Sequence, residues 1–203
     1  MRSILPAIFH WNNSNHCLPG GMCIFFFNDC QMTMGIHVEQ VSHLEFIHSC
    51  NYIHCDIKPS NLLIGQEKMQ NTVYLINFGV AQAYQCHQPF KEQVHFIGIP
   101  CFASIHALLG NQQSHQDDLE SLTYMLIYLV CGSLPWQETT TISQIIDLKV
   151  CIVDSPLVSV IPPEFLMVLE HARSPAFDKH PDYAYLRGLF EKLKASDDEL
   201  DCI

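Results

Sequence analysis

The chain has 203 residues, 48% of them apolar, with a mean hydropathy of +0.11. That composition suits one folded domain and excludes an intrinsically disordered chain, which lacks the apolar surface to offset its ordering entropy. Ten Lys+Arg against 21 Asp+Glu give a formal charge of −11, which repels a phosphate backbone and argues against nucleic acid as a partner.

Residues 1–33 show no clean period, and LPGGMCIFFFNDC joins a glycine turn to an aromatic run. The opening MRSILPAIFHW carries a short apolar run broken by Pro6, too brief for a secretory signal. From Met34 onward, Val38, Val41, Leu44 and Ile47 recur at steps of three and four, which predicts a helix ending near Ser49. The runs LLI at 62–64 and VYLI at 73–76, joined by a polar loop with Gly65 and Asn71, predict a hairpin. Asn77 to Gly110 carries Gly79, Pro89, Gly98 and Pro100 with little periodicity, the pattern of a long functional or mobile loop.

Beyond Gly110 the pattern is helical, with Asp117, Asp118 and Glu120 suited to a helix N-terminus. The following LTYMLIYLVCGSLPW is too short to cross a membrane and reads as a buried central helix, so no membrane partner is expected. Ile142 to Val150 predicts a further helix, and Pro162-Pro163 ahead of EFLMVLEHAR marks another start. A last helix is expected from near Pro181, with Tyr183, Leu186, Leu189, Phe190 and Leu193 on one face, followed by the acidic, solvated tail SDDELDCI. The fold class is therefore mainly α with a small β-hairpin.

Ten cysteines occur without a C-x-x-C pair, which fits free thiols in a reducing compartment, cytoplasmic or nuclear. Cys50 and Cys55 lie near His48 and His54, but no second ligand pair at zinc spacing follows.

Within HCDIKPSN, residues 54–61, Asp56 and Lys58 are two apart and Asn61 follows by three, with turn-forming Pro59 between them. Such a loop can converge an acceptor, a cation and an amide on one point. Phosphoryl transfer needs those parts: a carboxylate for the hydroxyl proton, a cation for the transferred group and an amide oxygen for magnesium.

This loop resembles the protein-kinase catalytic loop H-R-D-x-K-x-x-N, and Asn77-Phe78-Gly79 resembles the D-F-G turn that follows it. ASIHALLG, QDDLESLTYMLIYLVCGSLPW, PPEF and FDKHPDYAYLRGLF are similar, in the same order, to the casein kinase I family, so that the resemblance covers about residues 34–193. It implies a protein-kinase-like C-terminal lobe at 34–195, an eroded remnant of the hinge region at 1–33 and the tail at 196–203. It further implies ATP and Mg2+ as cofactors and a protein substrate or protein partner. Carried over by position, Asp56 is the catalytic base, Lys58 the γ-phosphate contact and Asn61 a magnesium ligand. Leu63 and Ile76 line the adenine side, Asn77 stands at the principal metal-ligand position, and Asp118 braces the catalytic loop. The bland alternative makes Leu63 and Ile76 core strand residues and Asp118 a helix-start carboxylate.

The departures from that pattern are specific. Asn77 puts an amide dipole where the family has a carboxylate, which weakens magnesium binding. Cys55 replaces the arginine that precedes the base. Cys55 and Cys101 also occupy two basic positions of the family's site for already phosphorylated substrates, and residues 137–148 contain no basic residue at all. Further expected arginines appear as Cys50, His115 and Gln116. Only Arg2, Arg173 and Arg187 remain in the whole chain.

Nothing before Met34 matches a G-x-G-x-x-G loop, a V-A-I-K-type strand or the glutamate-bearing helix, so the resemblance implies an N-terminal β lobe that is largely absent. Three functions remain open at this point: a casein kinase I-like serine/threonine kinase with impaired activity, a pseudokinase that serves as a protein-binding module, and a degenerate kinase fragment.

Overall fold

The computed structural model describes residues 30–65, 72–84, 96, 98–174 and 180–200, and side chains from residue 38 to residue 193 within those ranges. The hinge-like stretch before residue 30, and Asn71 and Pro89, lie outside the described residues.

Helix α1, Cys30–Ser49, begins four residues earlier than its apolar period indicated. Its Val41, Leu44 and Ile47 face the core. It packs on α3, His115–Cys131, and on α6, Tyr183–Leu200, while α5, Pro163–Ala172, lies against α3 and α6. Helix α3 is the centre of this arrangement. Every residue from His115 to Ile127 is buried, as expected of a helix enclosed on all sides.

Local chemistry sets the ends of α3. Ser114 and Asp117 form a reciprocal capping box at its start, and Gly132 closes it in the left-handed conformation at φ 74°, which costs a side-chain-free residue little. Pro163 occupies the first turn of α5, where its missing N–H is no loss. The short α2, Ile105–Leu108, is capped by Ser104, whose hydroxyl accepts from the Ala107 N–H at 3.0 Å. Helix α4, Ile142–Val150, turns Ile145 and Lys149 inward. Helix α6 continues to Leu200, into the acidic stretch that sequence reasoning assigned to a solvated tail. No glycine or proline, the residues least compatible with a helix interior, interrupts it after Gly188.

Strands β2, Leu62–Ile64, and β3, Val73–Leu75, form the expected antiparallel hairpin, with Leu63 opposite Tyr74. A second pairing was not foreseen. Strands β1, Tyr52–Ile53, and β4, Gln82–Ala83, pair antiparallel across the catalytic-type loop. Part of the predicted long loop between Asn77 and Gly110 is therefore ordered, holding β4, a 3-10 turn at Phe78–Val80 and α2. Among the described residues no helix is long and apolar enough to cross a membrane.

Candidate active site

The loop from His54 to Asn61 is anchored from beneath by one carboxylate. Asp118, 1% exposed in the first turn of α3, accepts the backbone N–H of His54 at 2.7 Å and that of Cys55 at 2.9 Å. These bonds hold Cys55 at φ 65°, a left-handed conformation that costs an ordinary residue about 1 kcal/mol and persists only where surroundings impose it.

His48, at the end of α1, donates through Nε2 to the same carboxylate at 2.9 Å, which leaves Nδ1 to meet the Tyr183 hydroxyl of α6. Burial works to raise the Asp118 pKa, but the hydrogen bond and charge of His48, with His54 nearby, hold it below the usual range. The carboxylate therefore stays ionised and acceptor-only. Three helices thus meet on the group that shapes the loop. Burial, reinforced by Asp118 and Asp117, pushes the Cys55 thiol far above its ordinary value, so Cys55 is an inert filler rather than a nucleophile.

Above this anchor the sequence-predicted residues converge. Lys58 Nζ pairs with Asp56 Oδ2 at 2.7 Å, the two side chains being 15% and 9% exposed. Asn61 donates through Nδ2 to the Asp56 carbonyl at 2.7 Å and to its Oδ2 at 3.0 Å. The 3-10 turn at Pro59–Asn61 makes this reach possible by folding Asn61 back over the loop.

His54 ties the loop to the backbone between β3 and Asn77. The Asp56 N–H donates to its Nδ1 at 3.3 Å, so the proton of the neutral ring is on Nε2, which donates to the Ile76 carbonyl at 3.0 Å. The Ile76 N–H in turn donates to the Asn61 carbonyl at 2.9 Å.

Asn77 is exposed, at φ 69° and ψ 62°, a conformation that Asn adopts more readily than most residues. Its Nδ2 donates to Asn61 Oδ1 at 3.2 Å. The opposite amide orientation would set two oxygens against each other, so the network assigns this one. A magnesium ion needs oxygen ligands in near-octahedral order, normally with at least one carboxylate. Here Asn77 carries no charge, Asp56 is paired with Lys58, and Asn61 Oδ1 has one of its two lone pairs engaged, so no free carboxylate faces the position. The donor set does not fit the ion.

Leu63, expected against adenine, is only 2% exposed, and Ile76 is half-buried. Strand alternation turns Leu63 away from Leu62 and Ile64, yet that face too is closed to solvent. Leu63 therefore offers a nucleotide very little open surface.

Sequence reasoning missed four residues that complete the site. Gly98 sits at φ 114°, where a Cβ would stand 3.4 Å from the Cys55 carbonyl oxygen and 3.7 Å from Asp56 Oδ1, so the following segment passes directly beside the acid. His48 and Tyr183 carry the anchor, and Lys149 holds the segment after Gly98. The one available signal was a glycine in an aperiodic run, at Gly98. The sequence matches the family model of the protein kinase domain over residues 27–175, a span that takes in every residue placed in this loop and the helices α1 to α5.

Proposed function

The chain belongs to the protein kinase family, and from that premise we propose that it is a casein kinase I-type serine/threonine kinase domain whose phosphoryl transfer is severely impaired. Protein kinases move a phosphoryl group from magnesium-bound ATP to a protein hydroxyl, chiefly by positioning and electrostatic stabilisation. The converged Asp56, Lys58 and Asn61 support the acceptor, cation and amide roles. The ordered runs from ASIHALLG to FDKHPDYAYLRGLF support the casein kinase I assignment.

The observation that carries the impairment is the Asn77 amide donating to Asn61 Oδ1 at 3.2 Å. It puts a neutral amide where the family has a charged metal ligand and engages one lone pair of the neighbouring ligand oxygen. Loss of a principal metal ligand removes much of the charge that offsets the transferring phosphoryl group. Cys55, buried and uncharged, adds no cation to the site. Free thiols at Cys50, Cys55, Cys101, Cys131 and Cys151 fit a reducing compartment, cytoplasmic or nuclear.

The test is transfer of labelled γ-phosphate to mixed serine- and threonine-containing peptides, with Asp56→Ala alongside. Transfer at the background of Asp56→Ala supports impairment; transfer well above it, abolished by Asp56→Ala, overturns it. A second reading, a protein-binding pseudokinase, is favoured by the closure of Leu63, which leaves the folded lobe intact while denying adenine its floor.

A further inference from the structure

Lys149 is the one lysine among the described residues with no exposed surface. Burying an ammonium group is costly unless its N–H donors are all used. On α4, its Nζ donates to the Pro100 carbonyl at 2.8 Å and to the Ala103 carbonyl at 2.5 Å. It also lies 4.5 Å from the ring centroid of Tyr124 and 5.2 Å from that of Trp136, aromatic faces that favour a cation. Trp136, after α3, donates through Nε1 to the Cys101 carbonyl at 2.7 Å.

Three carbonyls within four residues are thus held by two side chains from the helical body. That segment begins just after Gly98, which lies against Asp56. A methionine at position 149 would fill much the same space and leave the Pro100 and Ala103 carbonyls unpaired, so the lysine does something packing cannot.

We infer that Lys149 is a positioning residue that, with Trp136, fixes the 98–103 segment at the place where a peptide hydroxyl must pass to reach Asp56. The inference rests on the kinase reading for the direction of substrate approach, and on geometry alone for the tether. Burial lowers the Lys149 pKa to about 7, with Glu120 and Cys101 opposing that shift and Arg173 adding to it. Both the ammonium and the amine keep enough N–H donors for two carbonyls, so the tether stands in either state. Arg173 completes the same cluster from the other side, donating to the Lys149 carbonyl at 2.9 Å, to the Tyr124 hydroxyl at 2.6 Å and to Glu120 at 3.2 Å. It donates to none of the three segment carbonyls, which makes it the control.

The experiment compares Lys149→Met, Trp136→Phe and Arg173→Gln in the full chain, with no nucleotide present. Alkylation of Cys101, half-buried on the segment, is read by peptide mass against the exposed Cys50 and Cys151. Deuterium uptake at the Phe102 and Ala103 amides, both bonded to the Ile99 carbonyl at 3.1 Å, is read against α3. A merely structural lysine would loosen α3 and the segment together. The expected result is a Cys101 rate raised about fivefold relative to Cys50 in Lys149→Met, with Arg173→Gln within about twofold of the wild type. An unchanged ratio in a cooperatively folded Lys149→Met, or an equal rise in Arg173→Gln, overturns the inference. Should Lys149→Met not fold, Trp136→Phe decides: a segment-specific rise supports the tether and an unchanged ratio overturns it. These rates do not depend on phosphoryl transfer, so failure of the tether and failure of the kinase reading are separately visible.

Discussion

Asn77 donates its side-chain amide to Asn61 Oδ1 at 3.2 Å, and this one bond ties two would-be metal ligands to each other. Replacing the donor should release the pair. In Asn77→Asp the carboxylate cannot donate, and the same left-handed backbone remains accessible to Asp. The variant is expected to bind manganese, used as a magnesium surrogate, at least about tenfold more tightly than the wild type. Equal binding in a calorimetric titration would show that Asn77 is not what disables the site.

Asp118 accepts from His54, Cys55 and His48 at once. Asp118→Asn keeps the size but turns an N–H group toward at least one of those donors, leaving a buried pair unsatisfied. Urea unfolding should show a loss of about 3 kcal/mol, the scale of a charge-assisted bond replaced by a buried unpaired donor. A loss below about 1 kcal/mol would mean that the loop holds its shape without the carboxylate.

His115 gives the pH dependence a definite sign. Its ring stacks between His48 at 4.3 Å and His180 at 5.2 Å, and Nε2 has no hydrogen-bond partner among the described residues. Burial, then His48 and His180, lowers its pKa from 6.5 to about 3. The unfolded chain therefore binds this proton first, and stability falls as pH drops from 6.5 towards 3. Asp117 opposes it over part of the window. Burial, resisted by bonds from Ser104 and Ser114, raises that carboxyl from 3.8 to about 6, so its folded form gains relative stability as pH falls from 6 to 3.8. The difference between His115→Phe and the wild type isolates the histidine, because phenylalanine stacks without titrating. The variant's relative stability should rise steadily as pH is lowered from 6.5, and a flat difference would contradict the assignment.

Gly98 couples backbone conformation to the acid. At φ 114° any side chain is strained, and a Cβ would touch the Cys55 carbonyl oxygen. Gly98→Ala should cost about 1–2 kcal/mol in thermal or urea unfolding. A variant as stable as the wild type would indicate that the 98–103 segment relaxes freely, against the tether proposed at Lys149.

Much of the helical frame was legible because burial repeats with helical period. Val41, Leu44 and Ile47 fixed the core face of α1, and Ile142 to Val150 fixed α4. The hairpin was readable from two short apolar runs around a polar turn. Strands β1 and β4 were not, since each has two residues and their pairing joins positions about thirty apart, with no local pattern to betray it. The loop residues Asp56, Lys58 and Asn61 could be named from spacing, and the structure brings them within hydrogen-bonding distance of one another. Their dependence on His48 and Tyr183 was hidden, because a histidine at a helix end and a tyrosine on an apolar face read as packing. Lys149 was hidden for the opposite reason: a lone lysine on a short helix reads as solvated, and only tertiary contact shows its donors turned onto the Pro100 and Ala103 carbonyls.

The most direct test of the account is thermal unfolding of the purified chain with millimolar ATP, with and without magnesium. A ligand that binds only the folded state raises the midpoint in proportion to its occupancy. One cooperative transition with no magnesium-specific rise is the expected result, because an uncharged Asn77, bonded to Asn61, stands at the metal position and Leu63 is 2% exposed. A midpoint that rises with ATP only when magnesium is present would show a working metal–nucleotide site and contradict the central claim.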